Sequence, residues 1–168
     1  ARNEAAGTAV RAGGGAGGDE GVATAMSRTN ISYVTYQFSP WRGCSPVSAG
    51  CDHCWARAMS HRYGWAEWGK GKFRVFTSDA YWNHPLAWDR KAARDGTTPR
   101  VLCAGFCDIF DEEVVDDLRQ HLFDLIVRTP HLVWMVLTKR AKKMSKYMHV
   151  KPIPNVWLGV SVEDQATA

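Results

Sequence analysis

From residue 100 onward, short apolar runs alternate with stretches of helical period, and that alternation constrains the fold more than any other feature of the chain. Residues 101–104, 132–137 and 156–160 are apolar throughout and bounded by turn formers such as Pro99, Pro130 and Pro154. Between the first two runs, Val114, Leu118, Leu122, Leu125 and Ile126 fall on one face at helical spacing and predict a helix over 112–128. Asp111 is its expected cap, Glu112 and Glu113 suit its first turn, and Thr129-Pro130 end it. A short basic helix is expected over 141–148. Runs that are apolar at every position suit parallel strands buried on both faces. Strand, helix, strand, helix, strand means βαβ units, so the fold class is α/β with a parallel sheet.

Right-handed crossovers carry the C-terminal ends of all such strands to one side. The residues just past those ends are Cys107 and Asp108, then Thr138, Lys139 and Arg140, then Ser161, Glu163 and Asp164. In parallel α/β folds that rim is where active sites are built.

The chemistry-bearing segment lies earlier. Cys44, Cys51 and Cys54 form C-x6-C-x2-C in a loop with Pro46 and Gly50, which permit the tight turns that fold three sulfurs together. Three thiolates suit a [4Fe-4S] cluster whose fourth iron stays open. A zinc site is the competing reading, with His53, His61 or Cys107 as fourth ligand. A disulfide would strand the third cysteine. Asp52 is expected to cap a helix over 53–63 that Gly64 ends, with Cys54 in its first turn near the positive end of the helix dipole. Of the other two cysteines, Cys103 reads as a small hydrophobe in its strand. Cys107 stands past the strand end, as a fourth ligand, a redox-active thiol or merely a small residue.

The chain between 65 and 99 is less regular. Residues 72–77 suggest a short strand, and Asn83, Pro85 and Gly96 suggest the cap, first turn and end of a helix. Trp65, Trp68, Trp82 and Trp88 could stack on bases, although such residues more often cover a core beside long loops. The run Lys139, Arg140, Lys142, Lys143 and Lys146 offers a nucleic-acid contact. It supports a second function class, a non-catalytic nucleic-acid-binding protein stabilised by zinc or a cluster. The net charge of +4 permits such a partner without requiring one. No apolar run is long enough to span a bilayer. Residues 1–25 hold seven Gly and eight Ala without periodicity and are expected to be a disordered leader, with the fold in 26–168.

Four ordered blocks carry a resemblance. They are Trp41-Arg42-Gly43-Cys44 with Ser48-Ala49-Gly50-Cys51-Asp52-His53-Cys54-Trp55-Ala56, then Cys107-Asp108-Ile109-Phe110, then Val136-Leu137-Thr138-Lys139-Arg140, then residues 154–165 from Pro154 to Gln165. In these the chain resembles the phage-associated three-Cys-motif family, found in phages and bacteria and itself similar to radical SAM enzymes. The resemblance implies a (β/α) barrel of the radical SAM type, of which this chain would be the N-terminal part, truncated after the fourth strand. It implies a [4Fe-4S] cluster on Cys44, Cys51 and Cys54 that binds S-adenosylmethionine at the open iron. One electron would cleave the C–S bond, and the adenosyl radical would take a hydrogen from an unidentified substrate. Ser161, Glu163 and Gln165 would hold the nucleoside, and Asp108 and Lys139 would act on the substrate in the same cavity. The resemblance further implies a cytoplasmic setting in a bacterial or phage-infected cell, no membrane, and a partner protein encoded nearby. The cysteine spacing here is C-x6-C-x2-C where radical SAM enzymes commonly show C-x3-C-x2-C.

Overall fold

A computed structural model describes residues 11–12, 29–147, 153–163 and 165. Apart from Arg11 and Ala12, the leader expected over 1–25 lies outside the described residues, as does the end of the basic helix at Met148. The strands are β1 (Arg11–Ala12), β2 (Tyr36–Phe38), β3 (Trp41–Arg42), β4 (Val75–Phe76), β5 (Arg100–Cys103), β6 (Val133–Thr138) and β7 (Val156–Val160). The α-helices are α1 (Trp55–Tyr63), α2 (Asp79–Trp82), α3 (His84–Asp95), α4 (Asp116–Val127) and α5 (Ala141–Tyr147).

The main sheet is four-stranded, in the order β2-β5-β6-β7, and every pairing in it is parallel. The expected α/β class is therefore present. Neighbours in the sheet are also neighbours in this series of parallel strands, with α4 in the β5–β6 connection and α5 in the β6–β7 connection. Among the described residues the sheet does not close into a barrel. A second, small sheet joins β4 to β1 in parallel and to β3 in antiparallel fashion.

The core forms where α4 packs on the sheet. Phe38, Val101, Leu122, Ile126, Trp134 and Val136 are fully buried there. Phe38 stacks on Tyr81 at 5.0 Å and meets the edges of Trp82 and Trp134 at 5.5 and 5.7 Å, geometries that suit the quadrupoles of aromatic rings. Trp88 stacks on Tyr36 at 4.3 Å, so two of the four tryptophans read as base-stacking candidates cover this core. Trp65 packs edge-on against Phe106 at 5.4 Å.

Several boundaries move, each for a local reason. Helix α4 begins at Asp116, four residues after the expected start at 112, and Val115, not Asp111, stands at its N-cap. Asp108 and Asp111 each accept a hydrogen bond from the backbone two residues on, Phe110 N and Glu113 N, at 2.9 and 3.3 Å. Such local side-chain bonds stabilise turns at the expense of helix. They let Ile109 and Phe110 enter the core. Helix α1 starts at Trp55 with Cys54 at its N-cap, while Asp52 is the C-cap of a 3-10 turn over Ala49–Cys51 and does not cap α1. Gly64 does end α1, at φ +65°. The helix expected from Asn83, Pro85 and Gly96 is α3, again closed by a glycine at φ +63°.

Neither late strand is buried on both faces. In β6, Trp134, Val136 and Thr138 are buried and their neighbours half-buried. In β7, Trp157 is 51% exposed, and Leu158 and Val160 are exposed too. β7 pairs with β6 alone, and the Arg100 guanidinium of β5 lies 5.3 Å from the centre of the Trp157 ring. Among the described residues, no helix is long and apolar enough to cross a membrane.

Candidate functional site

β3 delivers the chain to the cysteine loop through Gly43, whose φ of +105° is a conformation that only glycine adopts without strain. A Cβ there would also stand 3.1 Å from the Glu67 carbonyl oxygen. Cys44 follows, and its carbonyl accepts from Gly69 N at 3.0 Å, which ties the loop to the segment before β4. The loop then turns twice. Cys51 N donates to Ser48 O at 3.0 Å and Cys54 N to Cys51 O at 3.3 Å, after which α1 begins.

Cys44, Cys51 and Cys54 line one cavity of about 420 Å³. Its other wall is the C-terminal rim of the main sheet: Cys103 and Ala104 at the end of β5, Asp108, then Thr138 at the end of β6 with Lys139 and Arg140 after it, and Ser161 after β7. The expectation that the strand ends and the cysteine loop share one side of the sheet is met in the geometry. Ala104 has φ +72°, a left-handed conformation in a non-glycine residue at the floor of this cavity.

Each predicted residue can now be placed. Ser161 lines the cavity and its N–H donates to Thr138 O at 2.8 Å. Glu163 reaches the cysteine loop, where Ser48 Oγ donates to its carboxylate at 2.8 Å, and it pairs with Lys139. Gln165 lies in an exposed turn and does not line the cavity. Asp108 is buried and fully engaged. It accepts from Thr138 Oγ1 at 2.8 Å, Phe110 N at 2.9 Å and Lys139 N at 3.3 Å, and pairs with Arg140 at 3.1 Å. A carboxylate held by that many donors orients its neighbours better than it exchanges a proton.

The sequence reading missed a buried ionic chain behind Cys44. Arg74 meets Asp111 at 2.7 Å, Asp111 meets Arg140 at 3.5 Å, and Arg140 meets Asp108. Arg74 also donates to Ser45 Oγ at 2.6 Å. Arg140 had the look of one member of a basic run. It is buried, and its guanidinium donates to Cys44 Sγ at 3.4 Å and to Ser45 O at 2.7 Å. Lys139 and Lys143 are paired with Glu163 and Glu112, so the basic run does not form one open cationic face.

The thiols differ in their surroundings. Burial pushes Cys44 up to about 11, against the opposing pull of Arg140. Cys51 is held below the usual thiol range: burial opposes ionisation, but hydrogen bonds from the Val47 and Ser48 backbone and the Ser48 hydroxyl outweigh it, helped by Lys139. Cys103 and Cys107 are both raised by burial, so neither stands ready as a thiolate nucleophile.

Do these residues fit a metal group? Among the described residues, no three His, Cys, Asp or Glu side chains form the ligand set of a single metal ion. One ion with bonds of about 2.3 Å would need sulfurs about 3.7 Å apart, whereas a cubic cluster gives each sulfur its own iron and spaces them at roughly 6–7 Å. Three thiols line one cavity and two of them are met by N–H donors, a donor set whose chemistry could hold a thiolate-bound group.

Gly50 supplies a test of how the loop is held. A Cβ on it would stand 2.6 Å from Glu163 Oε1. Gly50→Ala is expected to displace the Glu163 carboxylate and lose the Ser48 and Lys139 contacts, at a cost of about 1 kcal/mol. In a Glu163→Ala background the same change becomes neutral or slightly stabilising, because only the entropic benefit of alanine remains. Urea denaturation of the four proteins checks it; an equal loss in both backgrounds would show that Glu163 does not rest on Gly50.

No curated protein and no solved structure matches the chain. The model of the family described as "Protein of unknown function (DUF5131)" matches residues 28–168, the cysteine loop and the whole main sheet included, and the chain belongs to that family.

Proposed function

We propose that the protein is an iron–sulfur, radical-SAM-like enzyme of unidentified substrate, with the cluster on Cys44, Cys51 and Cys54. The observation that carries the reading is that the three thiols line one cavity with the C-terminal rim of a sequentially ordered parallel sheet. That strand order is the one a segment of a (β/α) barrel would have. When bound, the cluster would supply the electron that cleaves S-adenosylmethionine. The chain's own residues do the rest. Cys44, Cys51 and Cys54 hold the group, and Val47 N donates toward Cys51 Sγ. Lys139 and Ser161 face the same space and can orient the carboxylate and hydroxyl groups of an incoming molecule. A cytoplasmic setting in a bacterial or phage-infected cell belongs to the same reading. The nucleic-acid alternative has less support, because Arg140 is turned inward and Lys139 and Lys143 are paired.

The test is anaerobic reconstitution with iron and sulfide. The wild-type chain should turn brown and hold about four irons, the content of one cubic cluster. Cys44→Ala, Cys51→Ala and Cys54→Ala should each lose most of that iron, and Cys103→Ala should lose none. A colourless protein holding one zinc overturns the cluster. Formation of 5′-deoxyadenosine from S-adenosylmethionine under reducing conditions tests the chemistry separately.

A further inference from the structure

Arg140 is the one cation in contact with a cysteine of the loop among the contacts described, and its placement is over-determined. Its Nη1 reaches Cys44 Sγ at 3.4 Å and Asp108 at 3.1 Å, and its Nη2 reaches Ser45 O at 2.7 Å and Asp111 at 3.5 Å. Its backbone N–H donates to Thr138 Oγ1 at 2.8 Å, which in turn donates to Asp108. Arg74 holds Asp111 from behind with two bonds, at 2.7 and 3.0 Å. So the group that touches the sulfur is braced by two carboxylates, each of which is itself braced.

A planar fork can reach a sulfur, a carbonyl and two carboxylates at once; a lysine cannot. An N–H donor and a positive charge beside a cluster thiolate stabilise the reduced, more negative state more than the oxidised one. We propose that Arg140 is a positioning residue that sets the reduction potential of the group held at Cys44, with Asp108 and Asp111 aiming its guanidinium at the sulfur. This inference rests on the cluster reading above. It also gives Asp108 a task consistent with its saturated carboxylate, that of aiming Arg140 rather than acting on a substrate.

The proposal predicts a split between loading and potential. Arg140→Lys and Arg140→Gln, reconstituted anaerobically beside the wild type, should retain most of the iron. At a fixed potential their ratio of reduced to oxidised cluster should fall about tenfold, which for one electron is about 59 mV. The Gln variant should fall further than the Lys variant, because it loses the charge as well as the fork. Thermal unfolding of the apo proteins reports whether each variant folds. Should neither fold, the wild type labelled with 15N-arginine answers instead: pulsed EPR of the reduced protein should show a 15N coupling from the guanidinium. Iron-loaded variants with wild-type potentials, or labelled wild type without that coupling, overturn the role of Arg140 and leave the cluster standing. A wild type that takes up no iron overturns both.

Discussion

Asp111→Ala will lower folding stability by about 3–5 kcal/mol, the range seen when one partner of a buried ion pair is removed. Asp111 is 1% exposed and stands between two arginines that are themselves buried. One of its oxygens accepts two bonds from Arg74; the other faces Arg140 and accepts from Glu113 N. Taking it away leaves Arg74 buried without a carboxylate and leaves Arg140 with Asp108 alone. The loss of a few methylene contacts at this position is small beside that. Asp111→Asn keeps the shape and one acceptor, so it should cost less. Urea unfolding decides the point, read as a lower midpoint at unchanged slope. A loss under about 1 kcal/mol, the value for exposed pairs, would show that solvent reaches the chain of charges.

Arg119→Ala should be nearly as damaging, and for a different reason. Arg119 is 2% exposed although it lies inside α4. Its guanidinium donates to Ile109 O at 2.7 Å, Asp111 O at 2.9 Å and Val114 O at 3.2 Å, and it lies 3.8 Å from the centre of the Tyr147 ring. It therefore fixes the turns that carry Asp108 and Asp111. Each buried carbonyl left without a donor costs about 1–3 kcal/mol, so the total is expected at about 3–5 kcal/mol. The ion pair with Asp116 contributes little to this, because Asp116 is 80% exposed. Asp116→Ala should cost under about 1 kcal/mol. If the two variants proved equally destabilising, the ion pair and not the carbonyl clamp would be the important contact. Since Arg119 and Asp111 meet through one loop, their combined loss should not be the sum of the two.

The parallel sheet was legible because periodicity is a direct image of burial. The runs at 101–104, 132–137 and 156–160 each became a strand, within a residue at either end. The glycines at 64 and 96 marked helix ends because left-handed backbone favours that residue. The failures were of another kind. Asp52 and Asp111 look like helix caps in sequence; one ends a 3-10 turn and the other is engaged by a buried arginine thirty-seven residues away. Arg74, Arg119 and Arg140 were unreadable as interior residues, since a charged side chain is placed inside only by partners distant in sequence. In the site, local spacing brought out the three cysteines, and the strand ends brought out Asp108, Lys139, Ser161 and Glu163. Arg140 was seen on the rim and in a basic run offered to nucleic acid, whereas it is buried against Cys44. Gly50 was seen as a loop former and Ser48 only as part of a resembling block, and their contact with Glu163 is separated by more than a hundred residues of chain.

That separation has a bearing on the order in which the molecule can be assembled. The cysteine loop sits near the beginning of the chain, yet its anchors on Arg140 and Glu163 come 96 and 115 residues later. At a synthesis rate of about 5–20 residues per second, the loop leaves the ribosome roughly 5–20 s before its last anchor exists. During that interval its thiols lack the neighbours that the later strand ends supply. Insertion of the cluster proposed above would then follow translation, because the anchors that shape its cavity are completed last.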